Sequence, residues 1–412
     1  MKLLFTLVFL TASLPATAQL GGLPRLPALP GPFDLNRPLR QASRELAPPD
    51  LREQRRQAVD ELLRRDRARY ERDPAGEPVL RGELTWFAPQ PAQLDAAQSA
   101  GFVLLRDRVL EGLETRVVVL RAPPGLSTAE AVQRLRAIAP DAPVDFNHVY
   151  TGSGVVGAGA AGGPQAAAPG ARGGVRIGLI DSAPDLRHPA LRDAHVRLRG
   201  CDQPPGAHGT AVASLLVGRD GRFRGGVPDA TLYAADVQCG GGAVDALADA
   251  LAWMAKERVP VVNISLVGPA NRTLELVVRA MAARGHVIVA AVGNDGPAAP
   301  PLYPAAYPQV IGVTGVDPRR RVLPEALQGP QVSFAAPGEA VVASAGGTGY
   351  GAARGTSFAA PVVAALIAAM LQEPDAAQAA RGIEQLVSQA IDLGAPGRDT
   401  VFGHGLVGVD PR

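Results

Sequence analysis

Aromatic side chains make up only 4% of this 412-residue chain, so Phe, Tyr and Trp cannot fill its interior. Ala, Val and Leu must close the core instead, and with 47% apolar residues there is enough of them. Two cysteines are too few for a small disulfide-framed fold. Neither sign of charge is in excess: the net charge is +2, and residues 175–412 carry 20 Lys and Arg against 21 Asp and Glu. Nothing in that balance marks a nucleic-acid partner. No later stretch has the length and flanks of a membrane span, which needs about 20 apolar residues. The length suits two domains better than one.

The N-terminus, MKLLFTLVFLTASLPATAQL, has one lysine, a short apolar run and Ala16-Thr17-Ala18. It reads as a secretory signal over residues 1–18, which predicts a secreted or periplasmic protein. In such an oxidising compartment Cys201 and Cys239 can pair; two separate buried thiols are the alternative. Residues 19–81 divide into a Pro-rich leader and a charged amphipathic helix over 50–73. That arginine-rich helix opens the reading of an adhesion module for polyanions, but its interleaved acids favour a solvated face.

Over 82–150 the order is strand, helix, two strands, helix, strand, with Ser127 and Glu130 forming a capping box. This βαββαβ order predicts a small α+β ferredoxin-like domain. Residues 151–174 are dominated by Gly and Ala and read as a flexible linker. GAGAAG within it satisfies a dinucleotide-binding pattern, but the following Gly163-Pro164 forbids the helix that pattern requires. From 175 to 412, apolar strands such as VRIGLI, LYAADV, VPVVNISL, VIVAAV and VIGVTGV alternate with amphipathic helices. The expected fold class is α/β, a parallel sheet with helices on both faces.

The chemistry gathers at element ends. GTSFAAPVVAALIAAM sets Ser357 at the mouth of an almost wholly apolar helix, where free N–H groups favour an oxyanion; Pro361 is expected in the first turn. A serine hydroxyl needs a base, and the base an orienting group. HGTAVAS puts His208 at a helix start, IDSAPDLRHP puts Asp181 at a strand end, and AAVGNDG delivers Asn294 to the same edge. Singly, each is more often a cap or turn residue. Together, in one order, they form a nucleophile, base, orienter and oxyanion donor.

On those motifs and VVNISL, the region from about Val175 to the C-terminus resembles the subtilisin-like serine peptidases. The resemblance implies a serine endopeptidase with Asp181, His208 and Ser357 as triad and Asn294 as oxyanion donor. It also implies that the 82–150 domain is a propeptide, a folding assistant and temporary inhibitor, with the linker as scissile connector. Ser265, Leu266, Val267 and Gly240, Gly241, Gly242 are then the strands that pair with an extended polypeptide substrate, and Ala291, Val292 and Gly293 line the pocket for the residue before the cut. Val267 and Ala183 stand where glycine is usual. The valine predicts a narrowed pocket, and the alanine is costly only if its φ must be positive. No cofactor is required; calcium often stabilises family members, but no continuous carboxylate loop points to it here. The competing class is a peptidase-like binding protein without activity.

Overall fold

A computed structural model describes residues 51–152, 154–157, 174–221 and 223–409. The signal segment, the Pro-rich leader and most of the Gly/Ala-rich linker lie outside the described residues.

Helix α1 (Leu51–Arg65) opens this part of the chain. Val59 is buried, and Leu62 and Leu63 pack with Tyr70, Leu80, Val149 and Ala243, while Glu61, Arg64 and Arg65 stay in water. Then follow β1 (Tyr70–Arg72), β2 (Pro78–Phe87), α2 (Pro91–Ser99), β3 (Val103–Leu110), β4 (Thr115–Arg121), α3 (Thr128–Ile138) and β5 (Val144–His148). The strands make one antiparallel sheet in which β2 pairs with β1, β4 and β5, and β4 with β3. Leu84, Trp86, Phe102, Leu120 and Leu135 close its core, and Ser127 and Glu130 cap α3 reciprocally as expected. The domain begins earlier than residue 82: Tyr70 pairs with Leu80, both are buried, and β2 starts at Pro78.

Two short strands, β6 (Thr151–Gly152) and β7 (Val155–Val156), come next. The remaining elements are β8 (Arg176–Asp181), β9 (His195–Arg199), α4 (Ala207–Val217), the small hairpin β10 (Arg219–Asp220) and β11 (Phe223–Arg224), β12 (Thr231–Asp236), α5 (Val244–Lys256), β13 (Val261–Ile264), β14 (Leu266–Val267), α6 (Arg272–Ala283), β15 (Val287–Ala291), β16 (Val310–Val316), β17 (Val332–Pro337), the hairpin β18 (Glu339–Ala343) and β19 (Tyr350–Arg354), α7 (Thr356–Ala368) and α8 (Ala376–Gln389). Seven strands form a wholly parallel sheet in the order β17-β16-β15-β13-β8-β12-β9.

Alternation along each strand divides the core in two. Ile177 and Leu179 face α4 and α7 with Val212, Leu216, Phe358 and Val363. Ile180 faces α5 and α6 with Leu247, Leu251, Val262 and Val277. The parallel α/β class is therefore as expected. Edge strand β9 had no apolar run to announce it: its arginines cover aromatic rings instead, Arg197 at 5.4 Å over Tyr233 and Arg199 at 5.9 Å over Trp253.

The linker expectation needs correction at its start. β6 pairs antiparallel with β14, and β7 with β19, so residues 151–152 and 155–156 are held in sheets and do not begin a free connector. Cys201 and Cys239 are joined in a disulfide.

Candidate active site

Parallel strands bring their carboxyl ends to one edge, and the chemistry-bearing residues meet there. Asp181 ends β8, is 1% exposed, and accepts the Ser182 N–H at 2.8 Å. His208 stands in the first turn of α4 with Nδ1 2.8 and 3.0 Å from the two Asp181 oxygens. A carboxylate only accepts, so Nδ1 carries the proton and Nε2 is left as a base. Nε2 is buried without a hydrogen-bond partner among the described residues, and the imidazole lies 5.5 Å from the ring of Phe358, the residue after Ser357. Burial pulls the His208 pKa down, but the charge and hydrogen bond of Asp181 push it further up, and the net shift is upward.

Ser357 is fully buried at the second position of α7, reached through Gly355 at φ 136°. Pro361 lies beyond the first turn expected for it. The helix starts at Thr356, so the proline removes the N–H that would have bonded the Ser357 carbonyl. That carbonyl accepts the Ser265 hydroxyl at 3.0 Å, while Ser357 Oγ donates to the Ser265 carbonyl at 3.2 Å. Asn263 Nδ2 supports the Ser265 hydroxyl at 2.9 Å. Asn294 accepts the Thr356 N–H on its Oδ1 at 3.0 Å. This fixes which way the amide faces and turns its NH₂ away from the α7 backbone.

The chain's own residues 149–152 and 154–157 border this site. The Tyr150 N–H donates to the Gly242 carbonyl at 2.8 Å. Thr151 pairs with Val267 and Gly152 with Leu266; beyond residue 153, Val155 and Val156 pair with Arg354 and Ala353. Both flanking glycines are required by close approach. A Cβ on Gly152 would stand 3.3 Å from His208 Cγ, and one on Gly154 2.7 Å from the Phe358 ring.

Of the expected pairing segments, Leu266 and Val267 pair as a strand and the valine does not displace it, while Ser265 supports Ser357. Gly240, Gly241 and Gly242 are not a strand: a 3₁₀ turn over Gln238–Gly240 runs into left-handed Gly241, and Gly242 alone pairs, through its carbonyl. Ala291, Val292 and Gly293 are all buried, and a Cβ on Gly293 would meet Leu302 at 2.5 Å. Ala183 is not among the residues with positive φ, so the alanine is unstrained.

The N-terminal domain grips the same half of the molecule. Asp145 accepts the first N–H of α6 from Arg272 at 2.8 Å, beside the helix's own cap, Asn271. Asn147 and the arginines Arg106 and Arg108 converge on buried Asp245 in the first turn of α5, at 2.9, 2.8 and 3.1 Å. On α1, Arg55 bridges Glu77 at 2.7 Å and Asp295, next to Asn294, at 3.4 Å. Sequence reading missed this clamp, along with Ser265, Asn263 and Thr356 as supports of Ser357. VVNISL carried the only local signal, two polar residues in a buried strand.

The sequence model of the Subtilase family matches residues 172–405. Minor extracellular protease Epr of Bacillus subtilis (strain 168) is 32% identical over 205 residues, which are 48% of this chain and 32% of that protein. Subtilisin E of the same strain is 31% identical over 251 residues, 57% of this chain and 64% of that protein. The chain thus spans less than two thirds of either. Subtilisin of Bacillus pumilus, 31% identical, is covered over 89% of its length. Among solved structures, fervidolysin from Fervidobacterium pennivorans, a keratinolytic enzyme related to subtilisin, superposes with a TM-score of 0.67 at 20% identity over 82% of this chain and 61% of that one. Patellamide maturation protease PatA gives 0.51 at 25% identity over 58% and 95%.

Proposed function

This chain belongs to the subtilase family, and from that premise we propose that it is a secreted serine endopeptidase made as a precursor and held inactive by its own N-terminal domain. The reading is carried by one observation: residues 149–152 and 154–157 run beside His208 and Phe358 and pair with Gly242, β14 and β19. Such backbone pairing is how an enzyme takes a polypeptide without regard to most of its side chains.

In the proposed reaction Ser357 Oγ attacks the carbonyl carbon of the bound peptide as its proton passes to His208 Nε2. Asp181 holds the ring's tautomer and favours the imidazolium. The Asn294 amide and the Ser357 N–H at the α7 terminus receive the oxyanion. His208 then gives the proton to the leaving nitrogen, the C–N bond breaks, and water repeats the sequence to release the acid. No step calls for a metal. The orphan Nε2 supports the role of base, since it has the proton-accepting lone pair and no competing partner. Export rests on the signal-like residues 1–18, and agrees with the word extracellular in the name of the Epr relative.

The test is production of the full chain beside Ser357→Ala. The wild type is expected to yield a shortened form whose new N-terminus lies within residues 153–155 and which reacts with a fluorophosphonate. Ser357→Ala should keep residues 149–157 intact and take no label. A wild type that processes but takes no label would overturn the enzyme reading and leave the binding-protein class.

A further inference from the structure

Arg354 ends β19 just ahead of Gly355 and Ser357, and the proposed reaction gives its side chain no part. Its guanidinium meets both oxygens of Glu325, Nε at 2.7 Å and Nη2 at 2.9 Å, and also reaches Glu339. We propose that Arg354 and Glu325 are positioning residues, a pair that sets the Asn294 amide against the nucleophile; this rests on the peptidase reading.

The link to Asn294 runs through backbone. The Glu325 carbonyl accepts the Gly296 N–H at 2.9 Å, and the Leu327 N–H donates to the Gly293 carbonyl at 3.0 Å. Residues 325–327 therefore hold both ends of the turn that carries Asn294. The Thr356 N–H meets Asn294 Oδ1 at 3.0 Å, and the Thr356 hydroxyl accepts the Gly293 N–H at 3.2 Å. Arg354 and Thr356 belong to the one stretch of chain that leads into the serine. That stretch thus grips the turn twice, directly at Thr356 and through Glu325 at Arg354.

The turn has need of the second hold. Gly293 and Gly296 bracket it at φ 106° and 98°, and glycine has the most backbone freedom to lose. In the precursor Arg55 of α1 also reaches Asp295 at 3.4 Å, a contact that on the proposed reading leaves with the N-terminal domain. The ties from Glu325 and Leu327 stay. A guanidinium on both oxygens of a carboxylate fixes direction as well as distance, which a lysine ammonium does not. Both side chains are partly in water, so the pair adds little to stability. An oxyanion donor works only within about 2.7–3.1 Å of the developing charge, so a small slip of the turn raises the barrier.

The experiment compares wild type, Glu325→Gln, Arg354→Gln and Arg354→Lys as processed enzymes on one peptide substrate, with fluorophosphonate titration counting competent sites. Tagged wild type, afterwards withdrawn, trims any variant that does not process itself. Glu325→Gln keeps the shape of the side chain and the backbone carbonyl, so kcat per labelled site should fall about tenfold with KM within about twofold. Its melting midpoint should stay within about 4 °C of wild type. Arg354→Gln should match it, and Arg354→Lys should recover only part of the loss. In an Asn294→Ala background Glu325→Gln should cost no more than about twofold further, because the group it positions is gone. An unmoved kcat in Glu325→Gln, or a full tenfold loss that persists without the Asn294 amide, overturns the proposal, and does so even if Arg354→Gln does not fold. A wild type that takes no label would instead count against the peptidase reading itself.

Discussion

Pro361 lacks the N–H that would reach back to the carbonyl of Ser357, and the Ser265 hydroxyl satisfies that carbonyl from outside the helix. Ser265→Ala should therefore strand a buried acceptor beside the nucleophile, at a cost of roughly 1–3 kcal/mol in stability. Adding Pro361→Ala returns a helical N–H to the carbonyl. The double variant is expected to recover part of the loss in thermal denaturation, and purely additive losses would contradict the assignment.

The raised pKa of His208 fixes the direction of the pH profile. Catalysis needs the neutral ring, so the acid limb of kcat/KM should lie above about 6.5, the ordinary histidine value. Releasing residues 151–157 lessens the burial that opposes protonation, so the upward shift should persist in the mature form. For stability, a raised folded pKa contributes below the unfolded value and is lost as pH rises through the folded one. Melting of the Ser357→Ala precursor, with and without Asp181→Asn, should show the advantage conferred by Asp181 shrinking over that window.

Asp245 is 2% exposed and depends on Arg106, Arg108 and Asn147 across the domain boundary. Truncating both arginines to Ala in the precursor should weaken the domain's hold by roughly 2–5 kcal/mol, chiefly because the aspartate is left underpaired. The expected readout is a shorter lag between chain cleavage and the appearance of peptidase activity. Asp245→Asn added to the same precursor should lengthen the lag again.

Val267 keeps β14 paired, so on the proposed reading its branched side chain would narrow the pocket and not shift the strand. Profiling of cut sites should show small or slender residues before the scissile bond. Val267→Gly is expected to raise kcat/KM for bulky aromatics by about tenfold or more. An unchanged profile would remove the valine from the specificity account.

The Cys201–Cys239 bond closes a loop spanning 38 residues. Replacing both cysteines with Ala should lower stability by up to about 4 kcal/mol on the chain-entropy account, read as a drop in denaturation midpoint.

The sheet, its helices and the places of Asp181, His208 and Ser357 at element ends were legible because each lies at the end of an apolar run that periodicity reveals. Pro361 was misassigned to the first turn because it is the sixth residue of a helix starting at Thr356, and the hydroxyl that satisfies the carbonyl it orphans comes from Ser265, far away in sequence. β9 was invisible because its arginines are exposed and lie over Tyr233 and Trp253, so no buried apolar run marks the strand. The start of the linker was misread because Gly152 and Gly154, which look like flexibility, are there for close approach to His208 and Phe358.

The contacts of Asp145, Asn147, Arg106 and Arg55 all lie upstream of residue 153 and involve none of the peptide bonds that a cut near that residue would sever. A single scission thus unties the chain without opening the clasp. On the precursor reading, the freed fragment is expected to stay seated until it dissociates or is itself digested, so the timing of activation would be set by how long the clasp endures and not by how soon the first bond is broken.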